Sequence, residues 1–199
     1  INIFHTSPSI TCVPQSSPYQ TLEDLINDAK KKPGKLTWAT GVGNPLSTSM
    51  DFFNHAGLEF KIVASGGGGL TGVVRASGGH VDVVPANIME AYPQIEAGLL
   101  RPLVLNTTDR MAAFPDLPTM AEYGYPARCR LLRGIVAPKG VDRAKLEIIN
   151  DAFQKAVKSE EFQSYVANSF GVVINASFDD AYALLDEQKS AYQQIASQQ

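Results

Sequence analysis

Residues 35–50, KLTWATGVGNPLSTSM, run from a β-branched apolar strand through a glycine-bearing turn straight into a helix. The pattern predicts a strand over Lys35–Thr40. Asn44 is suited to cap the helix that follows and Pro45 to open it, since proline lacks only an N–H that would have no partner there. Leu46, Met50, Phe53 and Ala56 fall on one helical face, and Gly57 closes the helix. A strand that turns directly into a helix is the repeating step of an α/β fold.

The same step recurs on both sides of this stretch. Downstream, Phe60–Ala64 reads as a strand, Ser65–Gly69 (SGGGG) as a turn and Leu70–Ala76 as a short helix stopped by Gly78-Gly79. Val81–Val84 is continuously apolar, as buried parallel strands are. It leads through Pro85-Ala86-Asn87 into a helix over Asn87–Ala97, kinked by Pro93 and capped by Gly98. Upstream, residues 9–13 (SITCV) form a strand and Tyr19–Lys32 a helix. Thr21 is its N-cap, Asp24 follows three residues on, and Leu22, Leu25, Ile26 and Ala29 form its apolar face.

Further on, Leu103–Leu105 is a strand, and a proline-rich connector holds one short helix around Thr119–Tyr123. Leu131–Ala137 is the last strong strand, after which 142–157, 159–169 and 177–197 are helical, interrupted at Val172–Ile174. These elements predict an α/β chain with a largely parallel sheet. The change from alternation to mostly helix near residue 128 divides it into two units, 1–128 and 129–199. No internal repeat is present.

Composition narrows the partners. The 199 residues are 44% hydrophobic and 19% charged, with a net charge of −3. No basic stripe exists to neutralise phosphates, which argues against nucleic acid. No apolar run approaches bilayer length, so the chain is not expected to be membrane-embedded. The opening INIFHTSPSITCVP lacks the parts of a signal peptide, but a cleaved form would look the same, so export stays open. Cys12 and Cys129 have neither zinc-site nor redox-pair spacing; two buried thiols and a disulfide both fit.

Catalytic and metal-binding groups are scarce. His5, His55 and His80 stand in unrelated contexts, no HExxH or GxSxG is present, and Glu160-Glu161 and Asp179-Asp180 sit at helix starts as dipole partners. No enzyme, metal or cofactor is expected. The informative residues are the three strand-to-helix turns, which share one edge of the sheet. There backbone N–H groups and helix dipoles point outward and can hold an anion. The candidate ligand-binding residues are Thr40, Gly41, Val42, Gly43, Asn44 and Ser47 in the first turn, Ala64, Ser65, Gly66 and Gly67 in the second, and Ala86 and Asn87 in the third. GVGNPL lacks the third glycine of a dinucleotide fingerprint and SGGGGLT lacks the lysine of a P-loop.

The ordered segments KPGKLTWATGVGNPLSTSMDFF, SGGGGLTGVVRASGGHVDVVPANIMEAYPQIEAGLLRPLVL, DRMAAFPDLPTMAEYGYP and RGIVAPKG resemble the substrate-binding proteins of tripartite tricarboxylate transporters, the Bug family, from Ser7 to the end. The resemblance implies a type II periplasmic-binding-protein fold, two α/β lobes that close on ligand like a flytrap. It also implies periplasmic residence, a small carboxylate ligand held largely by backbone amides, and delivery to the membrane permease subunits of a transporter. By resemblance the carboxylate loop of the second lobe falls on Thr40–Ser47, the next loop on Ala64–Gly69 and the strand-end loop on Pro85–Asn87.

Two departures stand out. Members commonly carry Val-Pro-Tyr before the second loop, where this chain reads Ile62-Val63-Ala64-Ser65, which reshapes the pocket. The chain also opens where the second lobe opens. By resemblance, residues 1–128 form that lobe and 129–199 complete a first lobe whose N-terminal part is absent, as in a truncated form. A ligand-sensing or regulatory domain of the same fold, acting through a protein partner, is the alternative, and an enzyme of a doubly wound fold the third reading.

Overall fold

Thr21 Oγ1 accepts from the Asp24 amide at 3.2 Å and the Asp24 carboxylate accepts from the Thr21 amide at 3.0 Å. This reciprocal capping box starts the first helix at the point the sequence predicts. The computed structural model describes residues 2–41, 44–66, 68–127 and 131–197, and their side chains except those of 44–47. In chain order the elements are β1 (Asn2–Ser7), β2 (Ser9–Pro14), α1 (Leu22–Lys31), β3 (Thr37–Thr40), α2 (Asn44–Ala56), β4 (Lys61–Ala64), α3 (Gly69–Ser77), β5 (Val84–Asn87), α4 (Ile88–Glu96), β6 (Leu100–Leu105), β7 (Leu131–Ile135), α5 (Arg143–Ala156), α6 (Glu160–Asn168), β8 (Val172–Val173) and α7 (Phe178–Ala196).

β2 is the centre of one sheet, antiparallel to both β5 and β6. β3 and β4 pair in parallel. The parallel bridge between Trp38 and Val83 joins the two sets, with the Ala39 amide donating to Val83 O at 2.9 Å. The layer therefore runs β4-β3-β5-β2-β6. One apolar cluster places Trp38, Phe52, Phe53, Leu22 and Leu25 together; the other gathers Ile10, Cys12, Val73, Val84, Ile88 and Leu105. Helices α1 and α2 contribute to the first cluster and α3 and α4 to the second, as in a doubly wound fold.

β1 leads into β2 through Pro8 alone but belongs to another sheet, where it is the central strand, antiparallel to β7 and β8. Phe4 of β1 stacks on Phe153 of α5 with centroids 5.8 Å apart. The buried cluster on this side is small: Ile3, Ala176 and Ala181.

Several expectations need correction. The sheet is mixed, not largely parallel: an apolar run reports burial on both faces but not strand direction, and β2 enters from β1 with no crossover helix. The strand expected over Val81–Val84 pairs regularly as Val84–Asn87, with Val83 making only the bridge. Thr119–Tyr123 is a run of turns rather than a helix, because its start is used by β6. The Leu105 amide donates to Pro118 O at 2.9 Å and the Met120 amide to Leu105 O at 2.8 Å. Residues 2–7, left unassigned above, are a strand. Cys12 is buried and free, and burial pushes its thiol pKa well up; Cys129 lies outside the described residues. No described helix is long and apolar enough to cross a membrane.

Candidate functional site

The three strand-to-helix turns meet at the carboxyl ends of β3, β4 and β5. The Ser65 amide donates to Thr40 O at 2.9 Å, which ties the second turn to the first. A Cβ on Gly41 would stand 3.8 Å from Gly68, so the two turns lie in van der Waals range. Thr40 is buried and its hydroxyl donates to Gly41 O at 3.1 Å. Ser65 is buried too, and its hydroxyl has no hydrogen-bond partner among the described residues. Asn87 caps α4, its Oδ1 accepting from the Met89 amide at 3.2 Å. Val42, Gly43 and Gly67 lie outside the described residues, as do the side chains of Asn44 and Ser47.

Beside these turns opens a cavity of about 370 Å³. Its lining includes Ala86 and Asn87 from the third turn, Gly69 just past the second and Thr48 in the helix after the first. Thr40, Gly41, Ala64, Ser65 and Gly66 are not among its described lining residues; the first two and Ser65 are packed beneath, joined by the bonds above. The opposite wall comes from β1 and β7, with Thr6, Ser7, Leu131 and Arg133, and Pro8 and Ser9 form the link between the sheets. A volume of this size suits a small organic molecule.

Polar groups on the wall are mostly fixed. Thr11 Oγ1 donates to Asn106 Oδ1 at 2.9 Å, and Asn106 Nδ2 donates to Ser9 Oγ at 3.1 Å. Arg110 is clamped by Glu122, donating from Nε to Oε1 at 2.8 Å and from Nη2 to Oε2 at 2.6 Å. Glu122 raises the Arg110 pKa and Arg110 lowers that of Glu122, so both stay charged and largely cancel. Arg133 Nε donates to Ser7 Oγ at 3.2 Å, and no described carboxylate pairs with it. The cavity thus sets the Arg133 guanidinium on one wall against the starts of α3 and α4 on the other, groups that suit an oxyanion, with the carboxylates of Glu90 and Asp109 also in its lining.

Residues 1–198 match the tripartite tricarboxylate transporter family receptor. The chain belongs to that family. It is 33% identical over 157 residues to the "UPF0065 protein in gbd 5'region" of Cupriavidus necator, an alignment covering 78% of this chain and 47% of that protein. The chain spans about half the length of the curated relatives it matches. Among solved structures it superposes with a TM-score of 0.86 on an R. palustris protein with adipate, at 21% identity and covering 100% of this chain and 67% of that one. It superposes with a TM-score of 0.83 on MatC from Rhodopseudomonas palustris with bound malate, at 17% identity and covering 98% and 68% of the two chains. These likenesses show a two-lobed α/β periplasmic-binding-protein-like fold for this family member.

Of the described candidates read from the sequence, Ala86 and Asn87 line the cavity, and the far wall was not among them. Asn106 directly follows β6, a polar residue after an apolar strand, and that signal was available. Ser7 and Arg133 carried no such mark: they reach the cavity through the pairing of β1 with β7, whose residues lie more than a hundred positions apart.

Proposed function

We propose that this family member is a periplasmic solute receptor that binds a small organic carboxylate and passes it to the membrane permease subunits of a tripartite tricarboxylate-type transporter. The observation that carries the reading is the cavity, set where the starts of α3 and α4 meet the β1–β7 wall, in a chain of the receptor family. Among the described residues no three His, Cys, Asp or Glu side chains gather to hold a metal.

In this reading the ligand carboxylate docks on the amides of Gly41–Asn44 and the Ser47 hydroxyl, while Ala64–Gly67, Ala86 and Asn87 close around the remainder. The division into a lobe within 1–128 and a second part within 129–199 belongs to the same proposal, with β1 on the side of β7 and β8. Pro8, between β1 and β2, is then one crossing between the parts. Each hydrogen bond to a charged oxygen contributes about 1.5–3 kcal/mol, so a few amides suffice for micromolar binding.

The test is a thermal-shift screen against mono-, di- and tricarboxylates, followed by calorimetry. Ligand at one hundred times its Kd stabilises the protein by about 2.7 kcal/mol, read as a higher Tm. Gly43→Val weakens binding at least about tenfold by blocking backbone approach. A well-folded protein that binds no carboxylate refutes the reading, and unchanged affinity in Gly43→Val removes the first turn from the site.

A further inference from the structure

Glu90 lies in the first turn of α4, half-buried, and lines the cavity. Its carboxylate rests against Gly69 at the start of α3. A Cβ at Gly69 would overlap Glu90 Oε2 and stand 3.0 Å from its Cδ, so the absence of a side chain there is what admits the carboxylate. The α3 start has no side-chain cap of its own, because its N-cap is Gly68. No described cation pairs with Glu90.

The charges along the wall differ in how they are matched. Arg110 is neutralised by Glu122. Asp109 accepts from the Thr108 hydroxyl at 2.8 Å and is exposed. Arg133 bonds Ser7 and faces the cavity unpaired among the described residues. Glu90 is thus a half-buried acceptor inside a small site, next to the α3 start where a ligand oxyanion would otherwise sit. A second anion there meets repulsion, whereas an ammonium or hydroxyl group meets an acceptor.

We propose that Glu90 is a specificity-determining residue of the carboxylate site: its carboxylate, lodged against the α3 start, selects acids that carry an amino or hydroxyl group beside the carboxylate over plain acids of the same skeleton. This rests on the receptor reading above and adds the substituent the ligand must bear. Negative charge at a helix start is also ordinary structural practice, worth little by itself. The two roles separate in experiment, because a purely structural Glu90 alters stability and leaves ligand ranking alone.

The experiment is calorimetric titration of the full chain with matched sets: succinate, malate and aspartate, then glutarate, 2-hydroxyglutarate and glutamate, for the natural protein, Glu90→Gln and Glu90→Ala. In the natural protein the amino or hydroxy acid of at least one set binds at least tenfold more tightly than the plain acid. Glu90→Ala brings that ratio within about threefold, chiefly by improving the plain acid. Glu90→Gln keeps a hydroxyl preference and loses most of an amino preference. Tm values of the three proteins are recorded alongside.

A plain acid that binds as well as its substituted partners in the natural protein overturns the proposal, as does a preference that survives in Glu90→Ala whatever happens to Tm. Binding of carboxylates with unchanged ranking in the variants sinks this inference while leaving the receptor reading standing. Binding of no member of either set by any of the three folded proteins removes both.

Discussion

Trp38 is buried against Phe52, Phe53 and Phe60, with the Phe53 ring edge-on at 4.7 Å, and its indole N–H donates to Ser49 Oγ at 2.9 Å. A buried indole N–H left without that acceptor carries its full desolvation penalty. Ser49→Ala is therefore expected to destabilise the protein by about 1–3 kcal/mol in urea unfolding. As the chain has one tryptophan, the change is readable in its own fluorescence. His5 is a second test at this scale. It is buried beside Phe162 and Tyr165, its Nδ1 has no partner among the described residues, and burial first and the charge of Arg133 second hold its pKa below the ordinary value. The unfolded chain then binds a proton that the folded one refuses, so stability falls as pH drops below the unfolded value of about 6.5. Tm should decline from pH 7.5 to 5.5 more steeply in the natural protein than in His5→Gln; equal slopes would show that His5 does not contribute.

β7 lies so close to β1 that a Cβ on Gly134 would meet Asn2 O at 2.5 Å and Ile3 Cα at 3.3 Å. Gly134→Ala must push the strands apart, and overpacking of this kind typically costs about 1–3 kcal/mol. A variant as stable as the natural protein would mean that the pairing gives way freely. The same strands show where sequence reading reaches its limit. The capping box of α1 needs only Thr21 and Asp24, three residues apart, and was legible. β1 buries Asn2, His5 and Ser7 along with Ile3, so no simple apolar alternation marks it, and its partners lie far down the chain. Likewise the apolar character of Val81–Val84 was plain, while its exit as an antiparallel neighbour of β2 was not. Of the cavity, the turn side was legible because glycine and asparagine mark strand-to-helix turns. The wall carrying Ser7 and Arg133, and the seat of Glu90 against Gly69, depend on which elements face each other, and local patterns do not carry that.

Across the molecule, apolar burial is unequal. The β4-β3-β5-β2-β6 layer is packed on both faces, whereas the β7-β1-β8 sheet has a buried cluster of Ile3, Ala176 and Ala181 and leaves Val136 and Ile148 open to solvent. Regions with few buried apolar contacts open more readily. Native-state hydrogen exchange should find the amides of β2 and β6 protected to the limit of global unfolding and those of α5 exchanging sooner; equal protection would show that the two parts unfold as one. The position of β1 bears on how the molecule is made. It precedes every other described element and pairs only with β7 and β8. In a chain that emerges in order from a ribosome or a translocation channel, β1 thus waits for partners that lie more than a hundred residues behind it. Until residues 131–135 and 172–173 arrive, β1 lacks both strands that flank it among the described residues, a high-contact-order closure of the kind that slows folding and lengthens exposure to aggregation.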